Sequence, residues 1–124
     1  MRAEERDPAH LWDMLEAARA FVEFTANLTL EEFLAAGREN EMTRLAVERK
    51  LEILGEAAGR VSSRFRSEHP EITWKEIVGL RNVISHQYDK VNYAEIYGIV
   101  RERIPELIAL LDSLVPPPPQ VSDA

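Results

Sequence analysis

Apolar residues recur at intervals of three and four along most of this chain, the spacing that places side chains on one face of an α-helix. The longest such series begins after Glu41 and consists of Val47, Leu51, Leu54, Ala58, Val61 and Phe65. It predicts one long central helix in a region that ends at Pro70. Because no stretch alternates apolar and polar residues long enough to predict a strand, the pattern indicates an all-α fold.

Helix start signals divide the rest of the chain into further elements. Asp7 followed by Pro8 is typical of an N-cap with proline in the first turn, and predicts a helix that ends near Ala26. Residues 29–32 (Thr-Leu-Glu-Glu) have the spacing of a capping box and predict a short connector helix ending near Gly37.

The second half of the chain predicts two more helices and a tail. Residues 73–76 (Thr-Trp-Lys-Glu) form another capping-box pattern, opening a helix that runs into Arg81. Asn92 can cap the last helix, which Pro105 should kink. We therefore expect a bundle of four main helices plus the connector over residues 7–115. Residues 116–124, which begin with four prolines, should form a flexible proline-rich tail.

Composition limits the class of protein. With 124 residues, 45% hydrophobic and 30% charged, the chain fits one globular domain. It has no apolar run of the roughly 20 residues needed to span a bilayer, and its start lacks a signal-peptide core, so we expect a cytoplasmic protein without a membrane partner. The absence of cysteine excludes disulfides and thiolate ligands. His10 and His69 have no partner at metal-ligand spacing, and the sequence predicts neither a metal site nor a cofactor.

Charge is distributed unevenly. The formal net charge of −7 argues against a broad, nonspecific nucleic-acid binder. However, residues 41–90 carry eight acids and nine bases, whereas residues 1–40 carry nine acids and four bases. The middle segment includes Arg60, Arg64 and Arg66. It could form a local basic cleft, or it could be a solvated helix surface of mixed charge.

Residues 81–88 (Arg-Asn-Val-Ile-Ser-His-Gln-Tyr) contain the groups needed to process a phosphodiester without a metal. The guanidinium of Arg81 can hold a phosphate and stabilise the charge of its transition state. The imidazole of His86 titrates near neutral pH and can transfer the proton. A structural explanation is also open, in which Arg81 caps a helix end and His86 lies in a turn.

The spacing of these two residues constrains the site. On a straight helix, five residues turn through about 500°, which leaves the side chains of Arg81 and His86 about 140° apart. The helix must therefore end or bend between them, or a second chain must complete the site. Long amphipathic stripes on few helices also favour a homodimer. Two copies of His86 in one cleft would supply both an acid and a base.

Several motifs in order resemble the HepT-like family of the HEPN superfamily. They are Ala46-Val47-Glu48-Arg49, Leu54-Gly55-Glu56-Ala57-Ala58, Ile72-Thr73-Trp74 and Gly79-Leu80-Arg81-Asn82, followed by His86 and Tyr88. The resemblance covers about residues 7–114 and implies a HEPN-type helical bundle. It also implies a ribonuclease toxin of a bacterial or archaeal type VII toxin–antitoxin pair, with RNA as its substrate.

The resemblance assigns roles to individual residues. Arg81 and His86 match the catalytic arginine and histidine of the family, and Asn82 matches the polar residue that often follows the arginine. Tyr88 matches the tyrosine that a partner minimal nucleotidyltransferase antitoxin modifies with AMP, which would block the cleft with anionic phosphates. An ordinary packing role for Tyr88 remains the alternative.

Three side chains outside this segment keep two interpretations each. Glu56, between small neighbours, could orient Arg81 or lie at a dimer cleft, or it could be a solvated helix residue. Tyr93 and Tyr97 could stack RNA bases or pack between helices. The main competing function is a noncatalytic helical binding partner, whose only event is the nucleotidylation of Tyr88.

Overall fold

A computed structural model describes residues 2–85 and 92–116 of the protein, with only the backbone for residues 81–85. These residues form seven α-helices. In chain order they are α1 (Ala3–Thr25), α2 (Leu30–Leu34), α3 (Arg38–Arg60), α4 (Ser63–Glu68), α5 (Trp74–Ser85), α6 (Tyr93–Glu102) and α7 (Ile104–Leu114). These ranges contain no strand, which confirms the all-α, HEPN-type prediction. No helix among them is long and apolar enough to cross a membrane.

The core forms where α3 packs against α1 on one side and α5 on another, while α7 closes against α1. The central stripe predicted from the sequence is buried as far as Val61, and Phe65 is half-buried. Burial of such side chains, at about 1.5–3 kcal/mol each, is the main term that fixes the helices. The largest fully buried side chains are Phe21, Phe33, Leu11, Met14, Leu15, Leu51, Leu54, Ile96, Ile104 and Leu111.

The predicted role of Asp7 as the first N-cap is wrong. Helix α1 already begins at Ala3, and Asp7 lies inside it with only 3% of its surface exposed. Its carboxylate accepts hydrogen bonds from the backbone N–H of Ser62 at 2.8 Å and from the Ser62 hydroxyl at 2.6 Å. Pro8 has a helical φ, so it fits within α1. Because proline lacks an N–H, α1 loses only the backbone hydrogen bond to the carbonyl of Glu4, which is an exposed residue.

The predicted central helix is divided into α3 and α4. Helix α3 ends at Arg60, and Ser62 then caps α4 by accepting a hydrogen bond from the backbone N–H of Phe65 at 3.2 Å. The apolar spacing continues across the break because Val61 still reaches the core. Periodicity alone therefore could not show that the helix ends there.

For the connector helix, the predicted capping box is confirmed, but the predicted end near Gly37 is wrong. The Thr29 hydroxyl accepts from the N–H of Glu32, and the Glu32 carboxylate accepts from the N–H of Thr29, both at 3.1 Å. Helix α2 nevertheless stops at Leu34. Gly37, with φ of 118°, occupies the N-cap of α3, a conformation that side chains with a Cβ disfavour.

The last predicted helix also consists of two. Asn92 caps α6 by accepting from the backbone N–H of Glu95 at 3.0 Å, as predicted. Arg103 separates α6 from α7 with a backbone that is still in the α-helical region (φ −104°, ψ −34°), and Pro105 lies in the first turn of α7. The interruption expected at Pro105 therefore falls two residues earlier, because proline lacks a backbone donor but suits the first turn of a helix.

Candidate functional site

The arginine and asparagine of the predicted site lie in the last two turns of α5. The backbone is helical from Trp74 to Ser85, which includes Arg81 and Asn82. His86 and Tyr88 lie outside the described residues, so their roles stay predictions. The tail beyond Pro116 also lies outside them.

The continuity of α5 narrows the possible geometries of the site. Between Arg81 and Ser85 the helix does not end. Of the arrangements expected from the spacing, an end of the helix at His86 or a bend before it remains, as does completion of the site by a second chain.

Helix α5 is fixed to the core at its beginning. Ile77 and Leu80 are buried, and the indole Nε1 of Trp74 donates to the carbonyl of His69 at 2.9 Å. On another side, the carboxylate of Glu76 accepts hydrogen bonds from the guanidinium of Arg103. The helix that carries Arg81 is therefore held by both packing and polar contacts.

The chain is fixed again immediately after residues 86–91. The hydroxyl of Tyr93 donates to the carboxylate of Glu48 on α3 at 2.9 Å, and the Arg44 guanidinium lies 5.6 Å from the centre of the Tyr93 ring. Desolvation, together with the hydrogen bond to Glu48 and its charge, raises the pKa of Tyr93 to about 12. The six residues that contain His86 and Tyr88 thus lie in the sequence between α5, which is anchored at its beginning, and the anchored start of α6.

Contacts of Tyr93 and Tyr97 support the packing interpretation over base stacking. The Phe33 ring lies 6.2 Å from the Tyr93 ring and 5.6 Å from the Tyr97 ring, measured between centres. The Tyr97 hydroxyl donates to the carbonyl of Leu28 at 2.7 Å, and the Arg101 guanidinium lies 5.1 Å from the Tyr97 ring.

Glu56 lies half-buried on α3 and makes no hydrogen bond with a described side chain. Its two glycine neighbours do not share one surface, since Gly55 is buried and Gly59 is exposed. A Cβ at Gly59 would meet nothing within 4 Å. The predicted contact of Glu56 with Arg81 or with a dimer cleft stays a prediction.

The predicted basic cleft is present only in part. Arg64 points to Glu68, with 3.1 Å between Nε and Oε1, and both side chains are exposed. Arg66 instead lines a shallow groove of about 520 Å³ between α4 and the start of α5. The other residues that line this groove are Ser63, Ser67, Trp74, Lys75 and Val78. Sequence reasoning missed Lys75 and both serines, because only the break before α4 places them together.

His69 has a structural environment. Its ring stacks on Phe65 with 4.3 Å between centres, and its Nδ1 lies 3.1 Å from the carboxylate of Glu71. The pKa of Glu71 is lowered, chiefly by a backbone hydrogen bond and then by His69. Within the described ranges, no group of three or more histidine and carboxylate side chains could hold a metal ion.

Comparison with known proteins places most of the chain in one family. Residues 14–114 match the family model described as Ribonuclease HepT-like. "Putative RNase MJ1380" of Methanocaldococcus jannaschii is 41% identical over 99 residues, covering 80% of this chain and 87% of that protein. "Probable ribonuclease HepT" of Thermococcus cleftensis is 34% identical over 114 residues, covering 92% and 98%. No solved structure matches significantly.

Proposed function

Because the chain belongs to the HepT-like ribonuclease family, we propose that it is an endoribonuclease that cleaves RNA without a metal, as the toxin of a toxin–antitoxin pair. The observation that carries the proposal is the position of its motif. The family match spans residues 81–88, and α5 presents Arg81 and Asn82 at the end of a helix anchored in the core.

The proposed reaction uses the 2′-hydroxyl of RNA as the nucleophile. A base takes the proton of that hydroxyl, the oxygen attacks the adjacent phosphorus, and an acid gives a proton to the departing 5′-oxygen. Arg81 stabilises the extra negative charge on the phosphoryl oxygens. His86 transfers protons, and Asn82 supports the arginine as a further polar group.

A homodimer follows from the chemistry, since one imidazole cannot be base and acid at the same time. The exposed side of α3 offers a surface for it. Met42 and Leu45 are 69% and 53% exposed, and positions 49, 52, 56 and 59 continue the same helix face at intervals of three and four. A second copy packed on this face would place Glu56 at the interface, as one of the sequence interpretations expects.

Regulation through Tyr88 is the second part of the proposal. The partner would be a minimal nucleotidyltransferase antitoxin that transfers AMP to the phenol. Tyr88 is two residues from His86 in the sequence, so the added phosphate would bring negative charge next to the site and repel RNA.

RNA cleavage by the purified, unmodified protein in EDTA tests the enzyme. We expect cleavage by the wild type and a loss of at least about 100-fold in Arg81→Ala and His86→Ala, the usual contribution of a general acid–base group or a charge stabiliser. Equal cleavage by these variants would contradict the assignment. Arg64→Gln, which removes an exposed cation paired with Glu68, is the matched control.

Mixed dimers test whether the site is shared between chains. Wild-type and His86→Ala chains are unfolded together, refolded together and separated by differently charged tags. If each cleft needs two copies of His86, the mixed dimer should be nearly inactive. Half of the wild-type activity in the mixed dimer would instead indicate that each chain has a complete site.

The noncatalytic alternative predicts the same partner but no cleavage. Intact-mass measurement after coexpression with the nucleotidyltransferase should show a gain in AMP units that Tyr88→Phe abolishes. A gain in mass without RNA cleavage by the unmodified protein would favour the noncatalytic binding partner. If the mass does not increase, the regulatory part of the proposal is contradicted. The enzyme assignment does not depend on this result, because the cleavage assay tests it separately.

A further inference from the structure

The groove between α4 and α5 combines donors of hydrogen bonds with positive charge. Arg66 and Lys75 supply the charge, and Ser63 and Ser67 supply hydroxyls. Among the described residues no carboxylate lines the groove, although the chain as a whole has a net charge of −7. Such a set of groups suits a phosphate, which accepts hydrogen bonds and carries negative charge.

The acidic residues near the groove are engaged with other partners. Glu68 pairs with Arg64, Glu71 with His69, and Glu76 with Arg103. Among the described residues neither Arg66 nor Lys75 takes part in an ion pair. The two cations of the groove are therefore available to a ligand.

Arg66 has a further unsatisfied group. Its Nε is buried, and no described atom accepts its hydrogen. Buried donors in proteins almost always have an acceptor, so an isolated one needs an explanation such as a ligand or ion that the site normally binds. Because this Nε is enclosed, a phosphate oxygen in the groove would bond to it only after the Arg66 side chain moves.

The residues of α5 that line the groove, Trp74, Lys75 and Val78, precede the proposed catalytic arginine on the same helix. Lys75 and Arg81 are six positions apart on α5, which is about 9 Å along the helix axis and about 120° around it. A single strand lying across the groove could therefore reach the position of Arg81 within a short span.

We infer that this groove binds a phosphate of the single-stranded RNA next to the bond that is cut, and so guides the strand along α5 to Arg81. This inference rests on the proposed function and adds a subsite for the same substrate. The acidic surface of a protein partner would be the competing occupant, but it gives no reason for the groove to lie on the helix that carries Arg81.

Salt-dependent binding of a labelled, single-stranded 2′-O-methyl oligonucleotide tests the subsite, because this RNA lacks the hydroxyl needed for cleavage. The variants are Lys75→Gln and Arg66→Gln, with Arg64→Gln as the matched control on the same helix. Each lost phosphate contact should reduce the slope of log affinity against log salt by about 0.7, which is about a fivefold weaker affinity at 0.1 M salt. Lys75 is exposed, so its variant should keep the wild-type fold even if Arg66→Gln does not.

Cleavage of unmodified RNA supplies a second measurement. Lys75→Gln should raise KM about fivefold and leave kcat unchanged, because the groove holds the strand at a distance from the reacting bond. If Lys75→Gln weakens oligonucleotide binding, the inference is supported even when the wild type does not cleave RNA. The lack of cleavage would then contradict only the proposed function.

Two results would overturn the inference. The first is that the wild type binds and cleaves RNA, but Lys75→Gln has the same RNA affinity and salt slope as the control Arg64→Gln. This result would leave the proposed function intact. The other is that Lys75→Gln weakens binding of the nucleotidyltransferase partner and does not change RNA binding.

Discussion

Tyr93 and Glu48 hold the start of α6, close in the sequence to the segment that contains His86 and Tyr88. The phenol and the carboxylate are 45 positions apart in the sequence, and their hydrogen bond ties the start of α6 to the middle of α3. Helix α6 begins at Tyr93, five residues after Tyr88 in the sequence. A loss of this hydrogen bond should therefore affect the segment that contains His86 and Tyr88. Neither residue is part of the proposed reaction, so we regard both as positioning residues.

Tyr93→Phe should lower the free energy of unfolding by about 1–2 kcal/mol at neutral pH, because it leaves a half-buried carboxylate without its donor. The pKa of Tyr93 is raised from 10.0 to about 12, so the folded state favours the protonated phenol. Its contribution is full below pH 10 and is lost as the pH rises from 10 to about 12. Urea unfolding across this range should show that loss in the wild type, and Tyr93→Phe should lack it.

Glu48→Gln is the matched variant for this pair. It keeps an oxygen that can accept the Tyr93 hydrogen bond but removes the charge, so the pKa of Tyr93 should fall towards its usual value. The loss of stability should be smaller than in Tyr93→Phe. A Tyr93→Phe protein with unchanged stability at all pH values would contradict the anchoring role.

At the scale of the helices, Ser62 determines where α3 stops and α4 begins. Its hydroxyl accepts from the N–H of Phe65, which caps α4, and donates to the carboxylate of Asp7, which binds the cap to α1. The direction of α4 then decides which of its side chains meet α5. Arg66 of α4 and Lys75 of α5 line one groove between these two helices.

Ser62→Ala should destabilise the fold by about 1–3 kcal/mol, because it removes the helix cap and leaves a buried carboxylate with one donor fewer. Urea unfolding measures this change. Ser67→Ala, an exposed serine of the same helix, is the control and should stay within about 0.5 kcal/mol of the wild type. If Ser62→Ala is no worse than this control, the cap does not hold α4.

At the scale of the whole molecule, we propose a site shared between two chains, and the exposed side of α3 is the surface that we propose for their contact. Large apolar side chains exposed to water are normally scattered singly, whereas Met42 and Leu45 are adjacent on one helix face. The Arg49–Glu52 ion pair, 3.0 Å long, lies on the same face and would form a polar part of the interface.

The double variant Met42→Glu with Leu45→Glu should convert the dimer to a monomer and abolish RNA cleavage, since it places four additional charges in the interface of each dimer. Light scattering gives the mass, and circular dichroism checks that the helices persist. Leu30→Glu, an exposed leucine on α2, is the control and should remain dimeric and active. A double variant that stays dimeric would contradict the assignment of this surface.

Part of the proposed site could be named from the sequence because its signals are local. The order of Arg81, Asn82, His86 and Tyr88 in the sequence carries the family resemblance without any knowledge of the fold. The groove of Arg66 and Lys75 was not predictable in this way. Nine residues separate the two cations in the chain, and nothing in the spacing shows that α4 and α5 meet there.

The sequence by itself determined the all-α class and the caps at Thr29 and Asn92, because helical periodicity and capping depend on groups within a few residues of each other. Only the tertiary structure decided that Asp7 reaches Ser62 instead of starting a helix, and that the central helix divides at that serine. These two residues are 55 positions apart, and a buried carboxylate takes whichever donors the packing brings to it. Local patterns describe the helices, and long-range hydrogen bonds and burial decide where each one ends.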